Sequence, residues 1–174
     1  TTQPISLDIR IDDYLAIYDQ APDPKHQPSR QNTRGDQLEA RVHRAARALQ
    51  LAGRPLFDEC RRGLKLLSGA GREIDFFGIT AGMPLIASCK TGKRSAWQKA
   101  DLDELRTWGD MLGGNYCVRL YITDVPRPEP ADRTHRQRYE QFVEEAATHR
   151  VVVWSAGDPR TLAELLAAEQ LNPT

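Results

Sequence analysis

The sequence predicts an α/β fold with a mixed central sheet that is flanked by helices. After a first helix, three strand-like runs lie next to one another, and alternating helices and strands follow them. The helical segments carry apolar residues at spacings of three and four, which indicates amphipathic helices. Adjacent strands followed by helix–strand alternation are typical of a mixed sheet covered on both faces.

The N-terminal part of the chain differs from the rest in composition. Residues 9–18 predict a short amphipathic helix, whereas residues 21–34 are polar and include three prolines. Such a stretch buries too little apolar surface to fold, so we expect a linker. We therefore assign residues 1–33 to a short helix and linker, and residues 34–174 to one folded domain.

The elements of that domain are predicted in order along the chain. From Gly35, an apolar stripe predicts a helix that ends before Gly53. There follow a strand over 56–67, a turn over 68–71, two strands within 71–92 joined at Ala81-Gly82, a helix over 96–112, a strand over 116–122, a loop over 124–133, a helix over 134–148, a strand over 151–154 and a helix over 159–169. Apolar periodicity places four aromatic residues in the core: Trp108, Tyr116, Phe142 and Trp154.

Composition narrows the functional classes. Lys and Arg number 24, as do Asp and Glu, so the formal net charge is zero. A protein that coats nucleic acid is normally basic, but a nuclease needs acids for metal and only local basic residues. The three cysteines lack C-x-x-C spacing, which favours a reduced, cytoplasmic setting without a zinc site. No apolar run reaches the roughly 18–20 residues that span a bilayer, so we expect no membrane partner.

Charged side chains converge in the two strands within residues 71–92. Side chains two apart on a strand share a face, so Glu73 and Asp75 point the same way, as do Ser88 and Lys90. Pairing the two strands brings Asp75 close to Ser88 and Lys90. Without chemistry, Asp75 and Lys90 would form a cross-strand ion pair worth about 0–1 kcal/mol if exposed.

These residue types suit phosphodiester hydrolysis. The reaction needs a divalent cation that polarises the phosphate and activates water, and Mg²⁺ or Mn²⁺ binds through one or two carboxylates. A lysine beside the cation orients the attacking water or offsets charge on the phosphate. Asp75 and Lys90, with Glu73 and Glu39 as further acids, supply these parts.

The ordered set of motifs resembles a known superfamily. Glu39 on a leading helix, then Asp75, then Ser88-Cys89-Lys90 resembles the pattern of the PD-(D/E)xK restriction-endonuclease-like superfamily. The runs Arg72-Glu-Ile-Asp75 and Ser88-Cys-Lys-Thr-Gly92 are similar to the nuclease domain of CRISPR ancillary effectors. Further matching segments are Gly35-Asp-Gln-Leu-Glu39, Asp103-Glu-Leu-Arg106 and Leu112-Gly-Gly114, so the resemblance covers about residues 5–170.

The resemblance implies a fold and a role for each site residue. The fold would be a restriction-endonuclease-like core of helix, three strands, helix and strand. Asp75 would be the central metal ligand, with Glu39 and the backbone carbonyl of Cys89 as further ligands. Lys90 would be the catalytic lysine, and Glu73 would belong to the same site. The cofactor would be Mn²⁺ or Mg²⁺.

The resemblance also implies partners. Members of this group cut single-stranded RNA and DNA, or nick duplex DNA, once an N-terminal CARF sensor domain has bound cyclic oligoadenylate. No length remains here for that sensor, so this chain would be the effector part of a longer protein of antiviral defence. A homodimer is the expected assembly.

One position departs from the superfamily pattern, because Ser88 stands where Asp or Glu is usual. A hydroxyl is a poorer metal ligand than a carboxylate, so weaker metal binding is expected unless Glu73 or Glu39 compensates. Two alternatives stay open: a nucleic-acid-binding or assembly module on the same fold, weakened by Ser88, and a stand-alone restriction or repair endonuclease.

Basic and polar residues directly after the motif are candidates for binding nucleic acid. Lys93, Arg94, Gln98 and Lys99 would grip the phosphate backbone or stack a base. For Gln98 and Lys99 the alternative is that they are the polar start of a helix. Cys89 is not expected to be a nucleophile, because its alternation with Ser88 and Lys90 turns it toward the core.

Overall fold

The computed structural model describes residues 34–65 and 73–171. The elements in chain order are helix α1 (Arg34–Ala48), strands β1 (Gln50–Leu51), β2 (Arg54–Pro55), β3 (Glu59–Lys65), β4 (Glu73–Thr80) and β5 (Met83–Lys90), helix α2 (Lys99–Leu112), a 3-10 helix (Gly114–Tyr116), strand β6 (Val118–Pro126), helix α3 (Arg133–Thr148), strand β7 (Val151–Ala156) and helix α4 (Leu162–Leu171).

Five strands form one mixed sheet in the order β3-β4-β5-β6-β7. Strands β3, β4 and β5 pair antiparallel, whereas β5, β6 and β7 run parallel. The short strands β1 and β2 form a separate hairpin. The predicted α/β class with a mixed, helix-flanked sheet is therefore confirmed. One edge of this sheet collects the amino end of β4 and the carboxyl ends of β5, β6 and β7.

Two apolar clusters hold the helices on opposite faces of the sheet. Helices α1 and α4 pack on one face, where the buried side chains are Leu38, Val42, Ala46, Phe76, Leu85, Ala87, Cys89, Leu120, Ile122, Trp154, Leu162, Leu165 and Leu166. Helices α2 and α3 pack on the other face, through Phe77, Ile86, Leu102, Leu105, Trp108, Leu112, Tyr121, Phe142 and Ala146. Alternation along β5 explains this division, because successive side chains of a strand point to opposite faces.

The predicted turn between β4 and β5 is confirmed. Thr80 pairs with Met83, and the two residues between them have positive φ values of 49° at Ala81 and 80° at Gly82. Positive φ at both central positions is typical of the type I′ turn, whose twist matches that of a two-stranded antiparallel ribbon. The turn fixes the register that brings Asp75 opposite Ser88.

The helix predicted over 96–112 begins at Lys99 instead. The carbonyl of Gly92 accepts hydrogen bonds from the N–H groups of Ser95 and Ala96, which closes a turn. Trp97 then has a φ of 59°, and Gln98 is extended. A left-handed residue followed by an extended one interrupts the hydrogen bonding of a helix. The apolar residues Ala96 and Trp97 are therefore buried in a turn before the helix begins.

Two other expectations on this half of the chain were wrong. The strand predicted over 116–122 is Val118–Pro126, because parallel pairing with β7 continues through Thr123 and Pro126. Tyr116 does not belong to the core: it lies in the 3-10 helix and is 73% exposed. The other three aromatic residues predicted in the core are buried.

The strand predicted over 56–67 begins at Glu59, and the described part of it ends at Lys65. The helix predicted over 9–18, the linker and the domain boundary at residue 33 lie outside the described residues, as does the turn over 68–71. In the described part of the chain, no helix has the length and apolar composition needed to cross a membrane.

Candidate active site

Asp75 lies where strands β4 and β5 separate. Their pairing ends at Phe76 opposite Ala87. Beyond that pair, Asp75 Oδ2 accepts a hydrogen bond from the backbone N–H of Cys89 at 2.6 Å and one from Ser88 Oγ at 3.4 Å. The side chain thus takes the place of a backbone acceptor on the neighbouring strand. The predicted proximity of Asp75 and Ser88 is confirmed.

Burial is the largest influence on the pKa of Asp75. It raises the pKa of this carboxyl above its usual range, while the Cys89 N–H and the charge of Lys90 act in the opposite direction. The carboxylates of Glu73 and Glu104 raise the pKa further. Asp75 is therefore surrounded by other acids, with Lys90 as the nearby cation.

Glu39 reaches the same edge of the sheet from helix α1. Burial raises its pKa to about 7, and the next contribution is repulsion from Asp75. Arg62 on strand β3 lowers the pKa, whereas Asp36 and Glu73 raise it. Two acids from different elements that repel each other in a half-buried place are typical of a site for a cation.

Glu73 is exposed and leans over strand β3. A Cβ atom added to Gly63 would lie within 2.4 Å of Glu73 Oε1, so the missing side chain makes room for this carboxylate. Gly63 also has a φ of 64°, which disfavours other residues. The charge of Glu73 acts on Glu39 and on Asp75, but the Glu73 side chain itself is exposed to solvent.

Lys90 lies on the face that carries helix α2, where its ion-pair partner is Asp101. The distance from Lys90 Nζ to Asp101 Oδ1 is 3.2 Å. Burial by itself lowers the pKa of Lys90, but the attraction and hydrogen bond of Asp101, together with Asp75 and Glu104, raise it overall. The cross-strand ion pair of Lys90 with Asp75, which was the alternative without chemistry, is not the pair that forms: Lys90 pairs with Asp101 on the helix, and Asp75 acts on Lys90 through its charge.

The sequence interpretation missed Asp101 and Glu104, whose charges act on Lys90, and Asp124, which lies at the same edge of the sheet. Asp101 and Glu104 lie one turn apart on α2, a spacing that also occurs among surface acids, so it gave no distinctive signal. Asp124, near the end of β6, accepts a hydrogen bond from the N–H of Gly92 at 3.1 Å and forms an ion pair with Arg34 at 2.5 Å. It ties the start of α1 to the loop after Lys90.

Cys89 faces the apolar cluster under α1, as its alternation predicted. Burial raises the pKa of the thiol well above its usual range, so a thiolate nucleophile is not available there. All three cysteines are free thiols. The predicted role of the Cys89 carbonyl as a metal ligand stays a prediction.

The four residues predicted to bind nucleic acid lie in different environments. Lys93 and Arg94 are exposed in the loop after Lys90, and Lys93 lines a cavity of about 260 Å³ between this loop, the end of β6 and the start of α3. In contrast, the amide of Gln98 donates to the carbonyl of Arg94 at 2.8 Å, and Lys99 forms an ion pair with Glu145 at 2.8 Å. Lys93 and Arg94 are the better placed pair for contact with a phosphate chain.

The donor set fits a hard divalent cation in its chemistry. Among the described residues, no three Asp, Glu, His or Cys side chains are gathered into a ready metal site. Carboxylate oxygens are nevertheless the ligands that Mg²⁺ and Mn²⁺ prefer, and one or two of them suffice when water completes the shell. Glu39 and Asp75 provide two carboxylates whose mutual repulsion a cation would relieve.

Comparisons with known proteins bear on the fold. No protein-family model and no curated protein matches the chain. Among solved structures, protein VC1899 from Vibrio cholerae is similar over 76% of this chain and 33% of its own chain, with a TM-score of 0.54 and 18% sequence identity. The chain therefore spans about a third of the length of that protein. At this identity the similarity shows a shared α/β fold and nothing further about the site.

Proposed function

We propose that this chain is a metal-dependent nuclease domain that hydrolyses phosphodiester bonds in single-stranded RNA or DNA, or nicks duplex DNA. The observation that supports the proposal most is that Asp75, at one edge of the sheet, interacts electrostatically with both Glu39 and Lys90. These residues come from a helix and two strands. The restriction-endonuclease-like pattern orders the same three residues along the chain.

Each residue has a role that its surroundings support. Glu39 and Asp75 would hold Mn²⁺ or Mg²⁺, which supplies Lewis-acid stabilisation and an activated water when bound. The Cys89 N–H fixes the orientation of the Asp75 carboxylate through its hydrogen bond. Lys90 is a cation near Asp75, and it would offset the charge that develops on the phosphate. Lys93 and Arg94 would hold the phosphate chain on either side.

The wider assembly belongs to the same proposal. The active form would be a homodimer in the cytoplasm, and a sensor domain on a longer protein would control it through cyclic oligoadenylate. A stand-alone restriction or repair endonuclease would instead cut as this chain alone.

Cleavage and metal binding test the proposal together. We would incubate labelled single-stranded RNA, single-stranded DNA and supercoiled plasmid with the chain and Mn²⁺ or Mg²⁺, and measure Mn²⁺ affinity by calorimetry. Asp75→Asn retains an oxygen for the Cys89 N–H but loses the charge, so it should weaken Mn²⁺ binding and cutting. Lys90→Ala should reduce cutting by about 10²-fold or more while leaving Mn²⁺ bound.

The matched control is Asp103→Asn on helix α2, whose carboxylate is 46% exposed and lies 3.9 Å from Arg106. It should cut and bind Mn²⁺ like the wild type. Unchanged Mn²⁺ affinity in both Asp75→Asn and Glu39→Gln would refute the metal site that the proposal requires.

A second function is favoured by two observations at the site. Ser88 supplies a hydroxyl where the superfamily has an acid, and Lys90 is already paired with Asp101. A nucleic-acid-binding module on the same fold would keep this arrangement without cutting. In that case the wild type and Asp75→Asn would bind labelled single strands equally in a filter-binding assay, and neither would cleave them.

A further inference from the structure

Asp101 is a partly buried acid whose two side-chain oxygens have different surroundings. Its side chain is only 12% exposed, and Oδ1 lies 3.2 Å from Lys90 Nζ. Oδ2 is buried and has no hydrogen-bond partner among the described residues. Burying a carboxylate oxygen without a partner is unfavourable. The Lys90–Asp101 pair is thus an inefficient way to stabilise the fold, because well-packed apolar residues often do as well as a buried ion pair.

The position of Asp101 is fixed by the packing of α2. Its neighbours Leu102 and Leu105 are 0% and 3% exposed and belong to the apolar cluster on this face of the sheet. Asp103 on the same helix is half exposed and points toward Arg106 and His149. Asp101 is therefore the acid of the first turn that the helix presents to Lys90.

A lysine on a strand end needs such a partner to stay in one place. Its four-carbon stem carries about 2 kcal/mol of rotamer entropy, so an unrestrained ammonium samples many positions. Catalytic groups act well when neighbouring residues lock their rotamers. The 3.2 Å contact with Asp101 restricts the Lys90 ammonium, and the charge of Asp75 acts on the same ammonium.

We propose that Asp101 is the positioning residue for Lys90, and that it holds the ammonium at the edge of the sheet for use on the scissile phosphate. The inference rests on the proposed nuclease function and adds a residue to its site. Asp101 acts through Lys90 and does not bind the metal, because its oxygens face the lysine and the interior under α2.

The test compares Asp101→Ala, Asp101→Asn, Lys90→Ala and the double variant Lys90→Ala/Asp101→Ala, with Asp103→Ala as the matched control. With Mn²⁺ and a labelled single strand, Asp101→Ala should lower kcat about 10–100-fold with little change in KM. Asp101→Asn should retain more activity, because its amide oxygen still accepts from Lys90. The double variant should be no slower than Lys90→Ala, since Asp101 has no role once Lys90 is gone.

Three results would overturn the inference. The first is a double variant that is slower than Lys90→Ala by the full factor that Asp101→Ala costs alone, which indicates a merely structural role. The second is a loss of Mn²⁺ affinity in Asp101→Asn, which would make Asp101 a ligand. The third is activity of Asp101→Ala equal to that of Asp103→Ala.

A readout without substrate separates this inference from the nuclease proposal. The rate at which an amine-reactive reagent modifies Lys90 is followed by mass spectrometry on the folded chain. Lys90 should react several-fold faster in Asp101→Ala than in the wild type, and Asp103→Ala should match the wild type. Equal rates overturn the positioning role even if the wild type cuts. Faster labelling together with no cutting by any form counts against the nuclease function alone.

Discussion

At the scale of single residues, the acids at the sheet edge repel one another in a place that the fold has partly removed from water. Glu39 shows the consequence best. Its pKa is raised to about 7 by burial and then by Asp75, so it holds a proton well above the pH at which a free glutamate loses it. In the unfolded chain the same group titrates near 4.5.

The sign of the resulting pH dependence follows from linkage. Well below pH 4.5 both states hold the proton, so the titration of Glu39 adds no dependence of stability on pH. Between pH 4.5 and about 7 the folded state binds more protons, so stability falls as the pH rises. Glu39→Gln should therefore be more stable than the wild type at pH 8 and equally stable at pH 4, as measured by urea unfolding. Glu144→Gln, a substitution at an exposed position of α3, should not differ from the wild type in this pH-dependent way. A constant difference between Glu39→Gln and the wild type across this range would contradict the interpretation.

Gly63 offers a second prediction at this scale. Its φ is 64°, and Gly53 in the β1–β2 hairpin has a φ of 78° with open space around its Cα. Alanine at either position should cost about 1 kcal/mol of unfolding free energy from backbone strain. Only Gly63→Ala should also displace the Glu73 carboxylate, because the new Cβ would lie 2.4 Å from Oε1. If Glu73 contributes to the site, Mn²⁺ affinity should fall in Gly63→Ala and not in Gly53→Ala.

At the scale of secondary-structure elements, the docking of helix α2 decides where Asp101 lies. The buried Arg119 of β6 passes under this helix and bonds to Asp110 Oδ1 at 2.7 Å and to the Gly114 carbonyl at 3.0 Å. A Cβ at Gly109 would lie 1.9 Å from Arg119 Nε. Glycine inside a helix normally costs about 1 kcal/mol relative to alanine, so its use here reflects the close approach of the arginine.

Gly109→Ala should consequently destabilise the fold, by about 1–3 kcal/mol as overpacking does, although alanine is the better helix former. Thr107→Ala, an exposed change on the same helix, should be close to neutral. The double variant Gly109→Ala/Arg119→Ala should be destabilised by less than the sum of its parts, because removing the arginine vacates the space. If urea unfolding shows that the losses of unfolding free energy in the two single variants add up in the double variant, Gly109 and Arg119 are not coupled through close packing.

At the scale of the whole molecule, local patterns predicted more of the structure than distant contacts did. The proximity of Asp75 and Ser88 followed from strand alternation and from the turn at Ala81-Gly82, both of which are set by near neighbours. The pairing of Lys90 with Asp101 depends on how a helix packs on the sheet, which no spacing in the sequence specifies. The same holds for Lys99 and Glu145, which are 46 residues apart.

Metal binding should stabilise the whole fold, because the proposed ligands come from α1 and β4 and are brought together only in the folded chain. A ligand that binds the folded state alone stabilises it by about 2.7 kcal/mol at a hundred times its Kd. Mn²⁺ should therefore raise Tm by roughly 5–10 °C for a chain of this size. The rise should be larger at pH 8 than at pH 5, because Glu39 must lose its proton to act as a ligand.

Asp75→Asn should abolish most of this rise in Tm, and Asp103→Asn should keep it. Equal shifts in all three proteins would place the Mn²⁺ elsewhere on the surface and remove the support for a metal site at this edge.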